Sequence, residues 1–249
     1  MTDLQSCLGT KYLQQTKYDR EQIVSMSRPH INPAPLYKTY PQAKTFLLPE
    51  AERLPTDLWD ALSSRRSRRR YSEEALNLEV LSALLWAASG ASGQVGGLTL
   101  RTAPSAGALY PVETYVQVNR VQGLDAGLYH LNIRDWCLEC LHSGEFGSQL
   151  ARACLDQRFM AQAAFNVCWS AVLRRNMAKY GHRGLRYIFM DVGHICQNLL
   201  LAAESFGLPA CPVGAYFDAE ANELFALDGD EESLIYFASV GGRSKGHGA

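Results

Sequence analysis

The sequence predicts an α+β fold in which helices and strands pack as layers, and three observations carry that expectation. Helical and strand periods are interleaved along the chain without a regular strand–helix–strand beat, which argues against a doubly wound parallel sheet. The 249 residues are 47% hydrophobic and 20% charged, enough to bury a substantial core in one large domain or two small ones. Glycine at 20 and proline at 10 are ordinary usage, so collagen-like and low-complexity chains are excluded.

The first fifty residues carry scattered polar groups and a proline-rich stretch from Arg28 to Pro35, whose rings fix φ and remove donors. Residues 1–50 therefore read as an arm laid over a body formed by residues 51–249. Asp57 to Leu62 predicts a short helix. Asn77 is placed to cap the next one, in which Leu78, Leu81, Leu85 and Ala88 share a face and Gly90 supplies the stop. Gly90 to Gly97 is rich in Gly and Ser and holds no hydrophobic period, so a mobile loop is expected there. Val112, Thr114, Val116 and Val118 alternate with Glu113, Tyr115, Gln117 and Asn119, the period of a strand. Two β-rich runs, Gly127 to Leu131 and Trp136 to Leu141, flank Asn132 to Asp135 and predict a hairpin. Gln149 to Gln162 reads as a helix and Phe165 to Leu173 as a central strand. A long helix from about Leu185 should end at Gly207, with Pro209 as a second stop. Ala219 to Ala226 reads as a short helix, and Leu234 to Val240 as a buried strand before a Gly-rich basic tail.

Twenty-four Lys and Arg against twenty-five Asp and Glu give a formal net charge of −1, which removes the global attraction expected of a general nucleic-acid coat. Seven cysteines, an odd count spread thinly, suit reduced thiols and a cytoplasmic setting. Met1 to Gly9 lacks the basic and apolar regions of a secretory signal, so no export is expected. Tyr187 to Leu208 is the most apolar long stretch, but Asp191, His194, Gln197, Asn198 and Glu204 interrupt it, and it reads as a buried helix without a membrane role.

Four constellations could carry chemistry. Arg65, Arg66, Arg68, Arg69 and Arg70 with Ser67 concentrate guanidinium groups suited to gripping phosphate oxygens; the alternative is a solvated basic face or a nucleic-acid patch. Arg101 to Pro111 and Ala210 to Tyr216 are runs of small residues that let backbone approach a flat ligand, or are plain tight loops. Asp191, His194 and Asn198 form a polar stripe on the long helix that fits a subunit interface, a ligand edge or a satisfied core network. Lys179 and Tyr180 are a candidate proton-transfer pair. Cys137 and Cys140 fit C-x-x-C, but no second pair completes a zinc set, and on a strand positions three apart face opposite ways. No metal site is expected, and no Walker, G-x-G-x-x-G, H-E-x-x-H or G-x-S-x-G motif occurs.

In order along the chain, Tyr12 to Tyr18, Leu36 to Pro41, Arg65 to Tyr71, Leu84 to Ala88, Arg101 to Pro111, Gly127 to His130, Gly193 to Ala203 and Cys211 to Gly214 resemble the nitroreductase-like FMN flavoenzymes, and within them the SagB/ThcOx-type dehydrogenase branch. The resemblance implies a layered fold with a central, mostly antiparallel sheet flanked by helices, an intertwined homodimer, and FMN held in the subunit interface. It implies that Arg65, Arg66, Ser67 and Arg69 hold the phosphate and ribityl end, with Arg243 as a further contact. Pro104, Ser105, Ala106 and Gly107 would line the ring from the other subunit, and Val213, Gly214 and Ala215 would bring backbone donors to its N5 and O4 edge. Lys179 and Tyr180 stand where azoline-oxidising members carry a catalytic pair. Adjacent helical residues point about 100° apart, so both can reach one substrate only if the backbone is irregular, which Gly181 could supply.

The expected activity is oxidation of azolines in modified peptides to azoles, with a cyclodehydratase as partner. The alternative is an NAD(P)H-dependent reductase of nitro compounds or quinones. A nucleic-acid binder built on the arginine run ranks last.

Overall fold

The computed structural model describes residues 4–18, 20, 29–51, 54 and 56–244. Met1 to Asp3, Arg28 of the proline-rich stretch and the last five residues of the basic tail lie outside them. Helix α1 (Leu8–Gln15) and strand β1 (Lys44–Leu47) come from the first fifty residues. There follow α2 (Leu58–Ser64), β2 (Tyr71–Ser72), α3 (Leu78–Ser89), β3 (Ala91–Val95), β4 (Leu98–Arg101), β5 (Val112–Val118), β6 (Gly127–Asn132) and β7 (Cys137–Ser143). The second half holds α4 (Gly147–Ala153), α5 (Phe159–Gln162), β8 (Phe165–Val172), α6 (Leu173–Tyr180), α7 (Gly184–Ser205), β9 (Ala210–Val213), α8 (Asp218–Leu224), β10 (Glu232–Val240) and β11 (Gly242–Arg243).

Among the described residues a seven-stranded sheet runs β1-β7-β6-β5-β8-β10-β9, every neighbouring pair antiparallel. Its two faces are covered differently. On one, Val112, Val116, Val167, Trp169 and Ala238 meet Leu81, Leu84, Leu85 and Ala88 of α3 and Ile188, Val192, Leu199 and Ala203 of α7. On the other, Tyr115, Leu128, Cys168 and Phe237 meet Leu150 of α4, Met160 of α5, and Ala221 and Phe225 beside α8. Helices thus flank a central antiparallel sheet, the α+β layering expected.

Local signals explain most boundaries. Asp57 Oδ1 accepts from the backbone N–H of Trp59 at 2.7 Å and caps α2. Beyond α7, Gly207 takes φ 65° and Leu208 N–H reaches back to Ala203 O, closing the helix as a left-handed C-cap should. Asn77 holds the cap position of α3 without a side-chain bond, and Gly90 ends that helix in an extended conformation. Glycine is needed at position 90 because a Cβ would run into the Trp86 ring.

Three expectations give way and two elements are additional. Gly90 to Gly97 is not a loop: β3 and β4 pair across a two-residue turn in which Gly96 and Gly97 both take positive φ, the geometry that a Gly-Gly hairpin supplies. The helix expected over Gln149 to Gln162 is two, because Leu155 and Asp156 sit at φ 55° and 57°. Ala210 to Val213 is an edge strand paired with β10. The stretch after β8, unassigned from sequence, is α6. The arm also contributes a strand, since Lys44 to Leu47 pair with Cys137 to Cys140.

Candidate functional site

The structure gathers the predicted site residues into two clusters. The first forms at the open end of the β9 edge. α2 delivers the chain to Arg65, and Arg68 N–H donates to Ala210 O at 2.9 Å while Ser67 bridges Ala210 in parallel register. Arg243 joins through β11, whose backbone pairs with Tyr71. Arg66, Ser67, Arg69 and Arg243 are exposed and Arg65 is half-buried. Arg69 lies over the Phe159 ring at 5.7 Å. Arg68 is committed elsewhere, to Glu204 near the end of α7 at 2.6 Å. Val213 is buried at the far end of β9, and Gly214 and Ala215 emerge from it exposed. One short strand therefore carries a cationic group at one end and small residues with accessible backbone at the other.

The second cluster surrounds the loop from Pro104 to Tyr110. Ser105 Oγ donates to Asp191 Oδ2 at 2.6 Å, Ala106 N–H approaches Asp191 Oδ1 at 3.3 Å, and Tyr110 N–H donates to Ser105 Oγ at 3.0 Å. Burial raises the Asp191 carboxyl above its ordinary range against the pull of these donors. Asn198 Nδ2 reaches Thr102 O at 3.3 Å. The polar stripe on α7 is thus a clasp for this loop, with His194 left exposed. Gly107, Ala108 and Tyr110 all take positive φ, at 67°, 54° and 43°.

Lys179 and Tyr180 reach the same loop. A Cβ built on Gly107 would meet Tyr180 Oη at 2.5 Å and Lys179 Nζ at 2.8 Å, so both polar ends converge on one bare glycine. The irregularity this requires is present: α6 ends at Tyr180, and Gly181 takes φ 57°. Pro29 of the arm sits 3.4 Å from where a Gly181 Cβ would stand.

Sequence reasoning missed a third assembly. Beneath the arm, Glu113, His130, Glu139 and Arg175 are all buried to 4% exposure or less. His130 Nδ1 lies 2.8 Å from Glu139 and Nε2 lies 3.2 Å from Glu113, whose other oxygen meets Arg175 Nη2 at 2.5 Å. Burial pushes the His130 imidazole down, but the two carboxylates win and hold its pKa raised. Both carboxyls are correspondingly lowered, burial being outweighed by His130 and, for Glu113, by Arg175 as well. Alongside, Glu232 accepts from Lys38, Tyr115 and Ser170 at 2.6 to 2.8 Å. The available signal was Glu113, His130 and Glu139 on three successive strands, with His130 directly opposite Glu139. The alternation in β5 marks a strand but not which of its polar residues are buried, and every residue of it is buried.

Cys137 and Cys140 lie on β7 as strand residues, and among the described residues no group of three or more His, Cys, Asp or Glu could hold a metal. No described helix is long and apolar enough to cross a membrane.

This is an α+β fold in which one long helix holds a basic cluster through Glu204 and a small-residue loop through Asp191, the loop that Lys179 and Tyr180 also reach. The chain belongs to the nitroreductase family of oxidoreductases, whose family profile matches residues 62–242. It is 39% identical over 180 residues, 72% of this chain and 88% of the other, to the Methanocaldococcus jannaschii protein MJ1384, named only provisionally as a nitroreductase. It is 32% identical over 64% of its length to the trifolitoxin-processing protein TfxB of Rhizobium leguminosarum bv. trifolii, and 28% identical over 53% of its length to the microcin B17-processing protein McbC of Escherichia coli. The matches span 46% and 50% of those two relatives, about half of each. A nitroreductase-type structure from Anabaena variabilis superposes with TM-score 0.72 at 30% identity, covering 82% of this chain and 42% of that one. A chain of the E. coli microcin synthetase McbBCD complex, with truncated pro-MccB17 bound, superposes at TM-score 0.62 and 22% identity over 82% of this chain and 80% of that one.

Proposed function

We propose that the chain is an FMN-dependent dehydrogenase that oxidises azolines in modified peptides to azoles. The carrying observation is the convergence of Lys179 Nζ and Tyr180 Oη on Gly107, supported by the similarity to two peptide-processing proteins. The residues present suit FMN. Arg65, Arg66, Ser67 and Arg69, with Arg243 brought beside them through Tyr71, offer forked donors to a phosphate dianion, and Val213, Gly214 and Ala215 offer backbone at the other end of β9. Bound FMN would supply a two-electron acceptor for a hydride.

Oxidising an azoline removes one hydride and one proton and leaves an aromatic ring. Tyr180 or Lys179 takes the proton, their polar ends packed against the bare Cα of Gly107. A groove of about 320 Å³ lies between His30 to Asn32 of the arm, Leu173, Arg174 and Met177 of α6, and Asp230 and Glu231, and suits an extended peptide.

The two clusters are anchored to α7 at Asp191 and Glu204, roughly 20 Å apart at about 1.5 Å per residue. That is too far for a single ring system to bridge within one chain. A homodimer in which Pro104, Ser105, Ala106 and Gly107 of one copy meet the arginine cluster of the other would complete each site. The proposal extends to a peptide-cyclising cyclodehydratase as partner and to the cytoplasm as setting, the latter supported by an odd count of seven cysteines spread thinly along the chain.

The purified protein should be yellow, and R66A with S67A should lose most of that colour. A synthetic peptide bearing one thiazoline should lose two hydrogens by mass spectrometry, and K179A and Y180F should abolish this while flavin stays bound. The second reading, an NAD(P)H-dependent nitro or quinone reductase, draws on the similarity to MJ1384; rapid bleaching of the flavin by NAD(P)H with no change in the peptide would select it.

A further inference from the structure

We infer that Arg175 is a positioning residue that fixes the Lys179–Tyr180 pair against Gly107 by tying three separate segments to α6; this rests on the role proposed above for that pair. The residue is 4% exposed, and its guanidinium makes one ion pair and two hydrogen bonds in three directions. Nη2 meets Glu113 Oε1 of β5 at 2.5 Å, Nη1 donates to Tyr110 O at 3.1 Å, and Nε donates to Pro35 O of the arm at 2.5 Å. Tyr110 closes the loop that carries Gly107. Lys179 stands four residues beyond Arg175 on α6, one turn along the same face. A single side chain therefore joins the loop, the strand and the arm to the helix that carries the pair.

Two further contacts make this more than a core ion pair. The loop holds Gly107, Ala108 and Tyr110 at positive φ, a conformation that persists for Ala and Tyr only where the surroundings impose it. Arg101 lies over the Tyr110 ring at 4.4 Å, Asp191 grips Ser105 and Ala106, and Arg175 holds the remaining carbonyl. On the far side the arm follows α6 from Pro29 beside Gly181 to Pro35 at Arg175. Buried ion pairs are often no more stabilising than apolar residues of like volume, so stability alone does not call for a charged group here. What an apolar residue could not reproduce is a rigid three-way fork whose donors are set by a planar group.

The test is Arg175→Lys, which keeps the charge and removes the fork. On the thiazoline peptide, kcat should fall about tenfold to a hundredfold while KM changes by less than about twofold, the signature of a misplaced reactive group. Flavin content per chain should not change. Fluorotyrosine at position 180 adds a readout that does not depend on turnover: one narrow ¹⁹F resonance in the parent protein should broaden or split in R175K. Should R175K fail to fold, Glu113→Gln keeps the shape of the acceptor and weakens the fork, and must show the same changes in smaller measure. Unchanged kcat and an unchanged fluorine line in whichever variant folds would overturn the inference. K179A and Y180F run in parallel separate it from the functional reading. If they leave turnover intact, the pair is not catalytic, and the fluorine line alone decides whether Arg175 holds Tyr180 in place.

Discussion

The two faces of the central sheet are built from different physics. Under α3 and α7 the contacts are apolar, with Leu81, Leu84, Leu85, Val116, Trp169 and Leu199 at or near zero exposure, and stability there comes from volume filled and area removed from water. Under the arm, an apolar patch shares the face with Glu113, His130, Glu139, Arg175, Lys38 and Glu232, all engaged in ion pairs or charge-assisted bonds. The first face tolerates rearrangement of shapes, whereas the second requires each charge to find its own partner. The Lys179–Tyr180 pair is attached to the second.

The comparison can be broken most directly at Glu113. Glu113→Ala leaves Arg175 buried without its carboxylate and His130 with Glu139 alone, and should cost about 3–5 kcal/mol in urea unfolding. Leu84→Ala on the apolar face should cost about 3 kcal/mol through lost contacts and a cavity. If Glu113→Ala proved the milder of the two, the charged face would be no more exacting than the apolar one.

Gly107→Ala should come next, at about 1–2 kcal/mol for the left-handed backbone, with a disproportionate loss of the proposed azoline oxidation because the new methyl strikes Tyr180 Oη and Lys179 Nζ. Arg68→Gln removes an exposed ion pair to Glu204 and should cost under about 1 kcal/mol, leaving flavin occupancy intact.

The charged face also sharpens the comparison through pH. The His130 pKa is raised in the folded chain, so its contribution to stability is fully present below the unfolded value of about 6.5 and is lost as pH rises through the folded value. The Glu113 and Glu139 pKa values are lowered, so theirs is present above the unfolded value and lost as pH falls through the folded one. Denaturation midpoints followed upward from about pH 6 should fall more for the parent protein than for His130→Asn, and Leu84→Ala should keep the parent's pH dependence.

Legibility in the sequence follows the same division. The face of α3 and the end of α7 were readable because apolar spacing and a Gly-Pro stop act within a few residues of themselves. The strand β5 was readable as a strand, but the period alone does not say that its polar residues face a second core. The Gly96–Gly97 turn is legible as a glycine pair, but the strands that flank it are short and mostly exposed and carry no hydrophobic period to mark them. The break between α4 and α5 carried no such mark, since Leu155 and Asp156 adopt positive φ without glycine. The arginine run and the small-residue loops were legible as types; their grouping into two clusters at opposite parts of α7 was not.

The sequence by itself determined the apolar faces of the main helices, where those helices stop, and the ordered motifs that place the chain in its family, because each depends on neighbours a few positions away. Only the tertiary structure decided that Arg175 meets Glu113, Tyr110 and Pro35, that Lys38 meets Glu232, and that Lys179 and Tyr180 close on Gly107. Such meetings join residues far apart in the chain, and their energies depend on distances and angles that strand register and helix placement alone can set.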